Sequence, residues 1–252
     1  TPSLESRSRA EVGRYQLIRL PKRINEQALP QVELIDMSKI VGRYENDVFS
    51  PRLIEMIQQR LDAKEQIILL LNRRGYASFL LCRDCGQVLQ CPRCDISLTY
   101  HKSDEQMKCH YCDYHCPVPH ACPNCHGHHI RTFGVGTQQI AEILTELFPS
   151  AKTIRMDIDT TRGKGQHEKL LNAFSKGKAD ILLGTQMIAK GLDFERVTLV
   201  GVMNADTALH LPDFRASERT FQHMTQVAGR AGRGRYKAEV IVQTYNPDNY
   251  SI

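Results

Sequence analysis

Apolar residues along this chain keep two rhythms, one of period 3.6 and one of short unbroken runs, and they alternate. From Pro51 to about Lys64, Leu53, Ile54, Ile57 and Leu61 share one helical face, and Pro51 suits a first helical turn. Ile67–Leu71 follows as a continuous apolar run, the mark of a parallel strand buried on both faces. The rhythm resumes with a helix over Gly136–Phe148, its Ile140, Ile143, Leu144 and Leu147 facing inward and Pro149 ending it. Lys152–Met156 reads as a strand, His167–Phe174 as a helix, and Asp180–Gly184 and Val197–Met203 as strands. Ser217–Ala228 reads as a helix and Ala238–Thr244 as a closing strand. Near the start, Arg14–Leu20 and Gln31–Met37 read as strands on either side of a proline-containing stretch, and residues 1–13, polar and without apolar periodicity, as a connector. Strands alternating with helices over short loops predict an α/β fold, a parallel sheet with helices on both faces.

The alternation breaks where the cysteines begin. Four Cys-x-x-Cys pairs fall within residues 82–125: Cys82/Cys85, Cys91/Cys94, Cys109/Cys112 and Cys122/Cys125. Eight thiols in such brackets are the ligands of two tetrahedral Cys₄ zinc sites, and the flanks are free of cysteine. The pairs can be matched in three ways. Between Cys94 and Cys109, Ile96, Leu98 and Tyr100 alternate with polar residues before a polar turn, which predicts a β-hairpin with one bracket at each end. Cys91, Cys94, Cys109 and Cys112 then form an inner site, leaving Cys82, Cys85, Cys122 and Cys125 for an outer one. Cys116 breaks the spacing and reads as a bystander. Four thiolates leave no open coordination position, so the zinc is structural. The seven histidines between His101 and His129 read as surface groups, available to DNA or a partner. The domains expected are thus a connector at 1–13, one α/β domain from 14–81 and 126–252, and a zinc insert at 82–125.

Composition adds limits. Apolar residues make up 41 % and charged residues 24 % of the 252, an ordinary globular balance, with no apolar run of membrane-spanning length. Clustered metal-type cysteines imply a reducing, cytoplasmic setting. The formal charge of +5 falls to about +1 once eight thiolates and two Zn²⁺ are counted, so net charge argues little for nucleic acid. The chain starts at Thr1 without a signal-peptide pattern and reads as a piece of a longer protein, expected to be monomeric.

Two further stretches carry chemistry. In Gln226-Val227-Ala228-Gly229-Arg230-Ala231-Gly232-Arg233, two arginines three apart leave one side of a helix end, and glycines allow close approach. The guanidinium fork suits a γ-phosphate in its transition state, although a basic helix end facing solvent has the same residues. In Gly184-Thr185-Gln186-Met187-Ile188-Ala189-Lys190-Gly191-Leu192-Asp193-Phe194, a Gly-Thr turn follows a buried strand, where α/β sheets place ligands. The Thr185 hydroxyl and nearby N–H groups suit a phosphate, with Lys190 in support and Asp193 as a link to the nucleotide.

These stretches resemble motifs V and VI of superfamily 2 helicases, and the chain resembles the second RecA-like lobe of such enzymes. With NRRGYA (72–77) running into the zinc insert, then GVGTQQI, DIDTT, GTQMIAKGLDF and QVAGRAGR, it is similar to the primosomal replication-restart helicases, and TPSLES to their motif III. The resemblance implies an ATP-driven 3′→5′ DNA motor that recognises abandoned forks and reloads the replicative helicase. It assigns Arg230, Arg233 and Gln226 to catalysis, Arg233 being the preferred arginine finger. Asp193, Gly191 and Gly229 go to the nucleotide, and Thr185, Gln186 and Lys190 to DNA. It implies ATP and Mg²⁺ besides two Zn²⁺, and primosome proteins and single-stranded-DNA-binding protein as partners. The departures matter equally. No G-x-x-x-x-G-K-[ST] and no acidic Mg²⁺ box occur, so this portion is expected to be inactive alone. Two other readings remain: a non-catalytic zinc interaction module, which has no need of the two motor stretches, and another superfamily 2 translocase, against which the zinc insert argues.

Overall fold

In the computed structural model the described residues are 2–19, 30–40, 48–71, 79–94, 96–101, 104–133, 136–157, 160–161, 163, 165–185, 194–210, 213, 215–229 and 238–252. The continuous apolar runs become the centre of a parallel sheet. Its strands are β1 (Gln31–Asp36), β2 (Gln66–Leu70), β8 (Thr153–Met156), β9 (Ile181–Gly184), β10 (Val197–Val202) and β11 (Glu239–Thr244), in the order β1-β11-β10-β2-β9-β8. Helices α2 (Pro51–Asp62), α3 (Thr137–Leu147), α4 (Gln166–Ser175) and α6 (Ala216–Ala228) make the crossovers, with a short α5 (Asp206–Leu209) before α6.

Alternate residues of each strand supply two cores. Ile68, Leu70, Leu182, Val200, Val202, Val240 and Val242 face Leu171 and Phe174 of α4 and Val227 of α6. Ile67, Leu69, Ile181, Leu183, Leu199 and Ile241 face Leu53 and Ile57 of α2 and Ile140 and Leu144 of α3. Burial on both sides is why these strands read as unbroken apolar runs rather than as alternation. Helix α2 starts where Ser50 Oγ accepts the Leu53 N–H at 3.2 Å and Pro51 opens the first turn. It approaches β10 so closely that a Cβ on Gly201 would lie 2.7 Å from Leu69 Cδ2 and 3.2 Å from Leu53 Cδ1.

One expectation about the N-terminal segment needs correction. Residues 14–19 form no strand: the segment is exposed, Ile18 at 73 %, and no neighbouring strand supplies hydrogen bonds. The Arg14–Leu20 alternation had no buried face to satisfy, and Leu20 lies outside the described residues. Within 1–13 the chain is helical, α1 (Leu4–Glu11), with no buried side chain. Its stability is local and polar. Ser3 caps it through the Ser6 N–H, Arg7 pairs with Glu11, and Glu218 and Arg215 of the α6 start hold the Leu4 N–H and Glu5. A helix without an apolar stripe leaves no periodicity to read.

The cysteine-rich segment leaves the carboxyl end of β2. A two-stranded antiparallel stalk, β3 (Phe79–Cys82) with β7 (Ile130–Phe133), carries it, and a three-stranded sheet of β4 (Thr99–His101), β5 (Gln106–Lys108) and β6 (His115–Pro117) lies inside. The expected hairpin is β4–β5, with Tyr100 opposite Met107. The stalk packs on the sheet through Phe79, Leu81 and Val88 against Met37 and Tyr245. Met37 and Tyr245 directly follow β1 and β11, so the insert sits beside the carboxyl edge of the sheet.

Candidate metal centre and nucleic-acid interface

Each cysteine pair opens the same tight turn. The N–H of the first cysteine donates to the carbonyl five residues later: Cys82 to Gln87, Cys91 to Ile96, Cys109 to Tyr114 and Cys122 to Gly127, all at 2.8 Å. In three turns the residue four along donates back to the first cysteine's carbonyl: Gly86 at 2.8 Å, Asp113 at 3.0 Å and His126 at 2.9 Å. Those three residues have φ of +74°, +58° and +59°. The turn aims both thiols of a pair to one side, so two turns face to face make one four-thiol cage.

Two cages result: Cys82, Cys85, Cys122 and Cys125, and Cys91, Cys94, Cys109 and Cys112, the sulfurs of each set all within 4.8 Å of one another. The Cys82–Cys125, Cys85–Cys122 and Cys91–Cys112 sulfur distances are 3.6, 3.7 and 3.6 Å. Four sulfurs about 2.3 Å from a tetrahedral Zn²⁺ lie about 3.8 Å apart, so the cages fit zinc. The nested pairing expected from the hairpin is the one observed. The four positions are saturated by protein, which makes these structural Cys₄ zinc-binding sites.

The thiols of each cage are shifted in opposite directions: the Cys112 thiol beside it pushes Cys94 up to about 12 and burial raises Cys82, whereas Cys109 and Cys122 are lowered. Desolvation raises the Cys109 thiol, but the N–H groups of Cys112 and Tyr111 outweigh it and bring it down to about 7. Cys122 is also lowered, desolvation being outweighed by the N–H groups of Cys125 and Asn124. Such N–H groups favour the thiolate that binds metal. Each cage has two buried cysteines, Cys82 and Cys122 in the outer one and, beside Leu80, Leu98 and Met107, Cys91 and Cys109 in the inner one. The outer one is more open, since Cys125 is exposed. Cys116 lies on β6 outside both cages, opposite Met107.

The second candidate site is the carboxyl edge. Thr185 directly follows β9, half-buried, with its N–H donating to the Met156 carbonyl at 3.3 Å. Here the chain departs to cross over β2 and build β10, a topological switch point of the kind where parallel sheets bind ligands. Next to it, after β8, Asp157 is buried and accepts the Thr137 hydroxyl at 2.6 Å, the Arg155 Nε at 3.0 Å and the Thr160 N–H at 2.9 Å. Burial raises the Asp157 carboxyl, yet the Thr137 hydroxyl, the Thr160 N–H and the Arg155 charge together hold it below the usual range. Thr137 opens α3, whose Gly136 N-cap supplies no side-chain acceptor, so first-turn N–H groups face this edge. Thr137 and Asp157 fall in the GVGTQQI and DIDTT stretches, but sequence reading assigned neither residue a role of its own. Their signal is an aspartate followed three residues later by a threonine, which closes a local turn.

Gln226 lies on the exposed side of the last turn of α6, beside buried Val227, and Gly229 caps that helix with its N–H on the Thr225 carbonyl. The two motif stretches therefore start from different elements, Thr185 from β9 and Gln226 from α6. Gln186, Lys190, Gly191, Asp193, Arg230 and Arg233 lie outside the described residues.

Comparison with known proteins adds to this geometry. The model of the PriA DNA helicase Cys-rich region domain matches residues 91–117, the inner cage and its three strands. The helicase conserved C-terminal domain matches residues 125–235. Among solved structures, RecG bound to a three-way DNA junction superposes with a TM-score of 0.50 at 14 % identity, over 97 % of this chain and 22 % of that one, a likeness of fold. The replication restart protein PriA of Bacillus subtilis is 57 % identical over all of this chain and 31 % of its own length. That of a Synechocystis strain is 44 % identical over 98 % of this chain and 31 % of its own. The chain thus spans about a third of the length of these relatives. With 57 % identity over its whole length to a PriA protein and with these two models matching, the chain belongs to the PriA replication restart protein family.

Proposed function

We propose that this chain is the second motor lobe, with its zinc insert, of an ATP-dependent 3′→5′ DNA helicase that restarts replication at abandoned forks. The observation that carries this reading is the placement of Thr185 at the switch point of the parallel sheet, with the Thr137–Asp157 pair beside it, on the edge where the zinc insert also stands. Thr185, Gln186 and Lys190 hold the DNA backbone, through hydroxyl, amide and ammonium donors. Asp193, Gly191 and Gly229 border the nucleotide, and Gln226 bridges towards it. Arg230 and Arg233 meet the phosphates when another lobe closes on this one, Arg233 as the finger. Primosome proteins and single-stranded-DNA-binding protein are the partners, in a reducing cytoplasm.

Phosphoryl transfer needs a phosphate cradle and Mg²⁺ held by carboxylates, and this sequence has no G-x-x-x-x-G-K-[ST] for the first. Arginines alone stabilise only part of the transition-state charge. The purified 252-residue chain is therefore expected to show no DNA-stimulated ATP hydrolysis, whereas the intact protein turns over when given forked DNA. Turnover by the isolated chain would place a complete nucleotide site inside this lobe and refute the division of labour.

A further inference from the structure

Helix α4 and its C-terminal end carry lysines that no carboxylate among the described residues neutralises. Several arginines on other helices are held by carboxylates: Arg7 by Glu11 on α1, Arg52 by Glu33 and Glu55 and Arg60 by Glu65 and Glu239 on α2, and Arg219 by Asp213 on α6. On α4 the spacing prevents this. Lys169 has Gly165 four residues before it and Asn172 and Ala173 three and four after it, and the same Asn172 and Ala173 lie four and three before Lys176, so the helical neighbours of each lysine on that face are neutral. Lys178 completes the row just past the helix. Lys169, Lys176 and Lys178 have no ion pair or side-chain hydrogen bond among the described residues, and with Glu168 at one end they line an open trough of about 450 Å³. Small Ala173 and Gly165 keep its floor low.

The trough is well placed. Helix α4 joins β8 to β9, so it starts near the carboxyl edge, by Asp157 and Thr185, and runs back along the outer sheet flank. Charge is also divided unequally between the insert and the rest of the chain. Residues 82–125 hold four Lys/Arg against five Asp/Glu and, with eight thiolates on two Zn²⁺, reach −5, while the rest of the chain carries +6. A nucleic-acid backbone leaving the switch point is repelled by the zinc insert and attracted along α4.

We infer that the Lys169–Lys176–Lys178 trough on α4 is a second phosphate-binding track that holds the backbone of a DNA duplex beyond the Thr185 edge. The bland alternative, that Lys176 and Lys178 only complement the helix C-terminus, leaves Lys169 and the emptied stripe without a reason. The identity of the polyanion rests on the DNA-motor reading; the phosphate chemistry does not.

The test is the salt dependence of DNA binding by the intact protein, read by fluorescence anisotropy on a duplex with a single-stranded tail, between about 50 and 200 mM salt. Three phosphate contacts contribute about 2.7 to the slope of log affinity against log salt, at about 0.9 each. The triple variant Lys169→Ala, Lys176→Ala, Lys178→Ala is expected to lose a slope of about 2 to 3, and the triple arginine variant to keep it. Alanine on an exposed helix preserves the fold, which far-UV circular dichroism confirms. An unchanged slope, an equal loss of affinity at every salt concentration, or no duplex binding by the wild type overturns the track. DNA-stimulated ATP hydrolysis is measured alongside. A slope change without hydrolysis keeps the track and removes the motor reading, and hydrolysis without a slope change does the reverse.

Discussion

Gly86 shows how one atom can fix an insert to its host. It occupies the left-handed position of the Cys82 turn, as Asp113 and His126 do in two other turns, so a side chain is tolerated there in principle. What differs is the neighbour: a Cβ on Gly86 would lie 2.6 Å from the Tyr245 carbonyl oxygen, a backbone atom that cannot rotate away. On its other side the Tyr245 N–H donates to buried Asp206 at 2.9 Å, whose second oxygen accepts the Thr244 hydroxyl at 2.9 Å. Burial raises the Asp206 carboxyl, against the N–H of Tyr245 and the hydroxyl of Thr244. Gly86→Ala therefore forces the stalk off the sheet and should cost about 2 kcal/mol, from overpacking and left-handed strain. A drop in Tm of about 4 to 8 °C with zinc content unchanged is the expected result, and an unaltered Tm would mean that the stalk yields freely. None of this was legible in the sequence. A glycine after Cys-x-x-Cys looks like a turn glycine, and its reason lies 159 residues away in sequence.

At the scale of elements, legibility followed burial. Strands β2, β9, β10 and β11 and helices α2, α3 and α6 lie within a residue or two of the spans read from apolar patterning, because their side chains are buried and burial is what patterning records. The Cys-x-x-Cys spacing was equally informative, since metal geometry acts locally. What failed was α1, held by polar contacts, and the solvent-exposed segment 14–19, which packing does not specify, and also the stalk, whose β3 is buried but whose pairing joins residues about 50 apart. The two cages also differ in a way only the fold reveals. Each has two buried cysteines, but Cys125 of the outer cage is exposed, whereas no cysteine of the inner cage is. A strong chelator should remove the outer zinc first and the inner zinc more slowly, disordering 82–125 while the parallel lobe persists. Zinc release followed with a colorimetric indicator should show two phases, with far-UV circular dichroism largely retained. A single phase, or collapse of the whole signal, would make insert and lobe one cooperative unit.

For the molecule as a whole, the parallel sheet gathers at one edge what the sequence spreads over more than a hundred residues. Thr137, Asp157 and Thr185 meet there, and the zinc insert rises from the same side. The helix that precedes Arg230 and Arg233 is built into the opposite core from α2 and α3, through Val227. On the proposed reading, that edge holds a phosphate chain, the helix delivers arginines, and the two are halves of a motor that works only against a partner lobe. The central claim is that this lobe supplies the arginines. The most direct measurement is DNA-stimulated ATP hydrolysis by the intact protein on a forked substrate, wild type against Arg230→Ala, with DNA affinity measured in parallel. The account predicts a fall in turnover of about 10³-fold or more with DNA binding retained. Turnover equal to wild type would contradict it and leave this lobe a scaffold for the zinc insert.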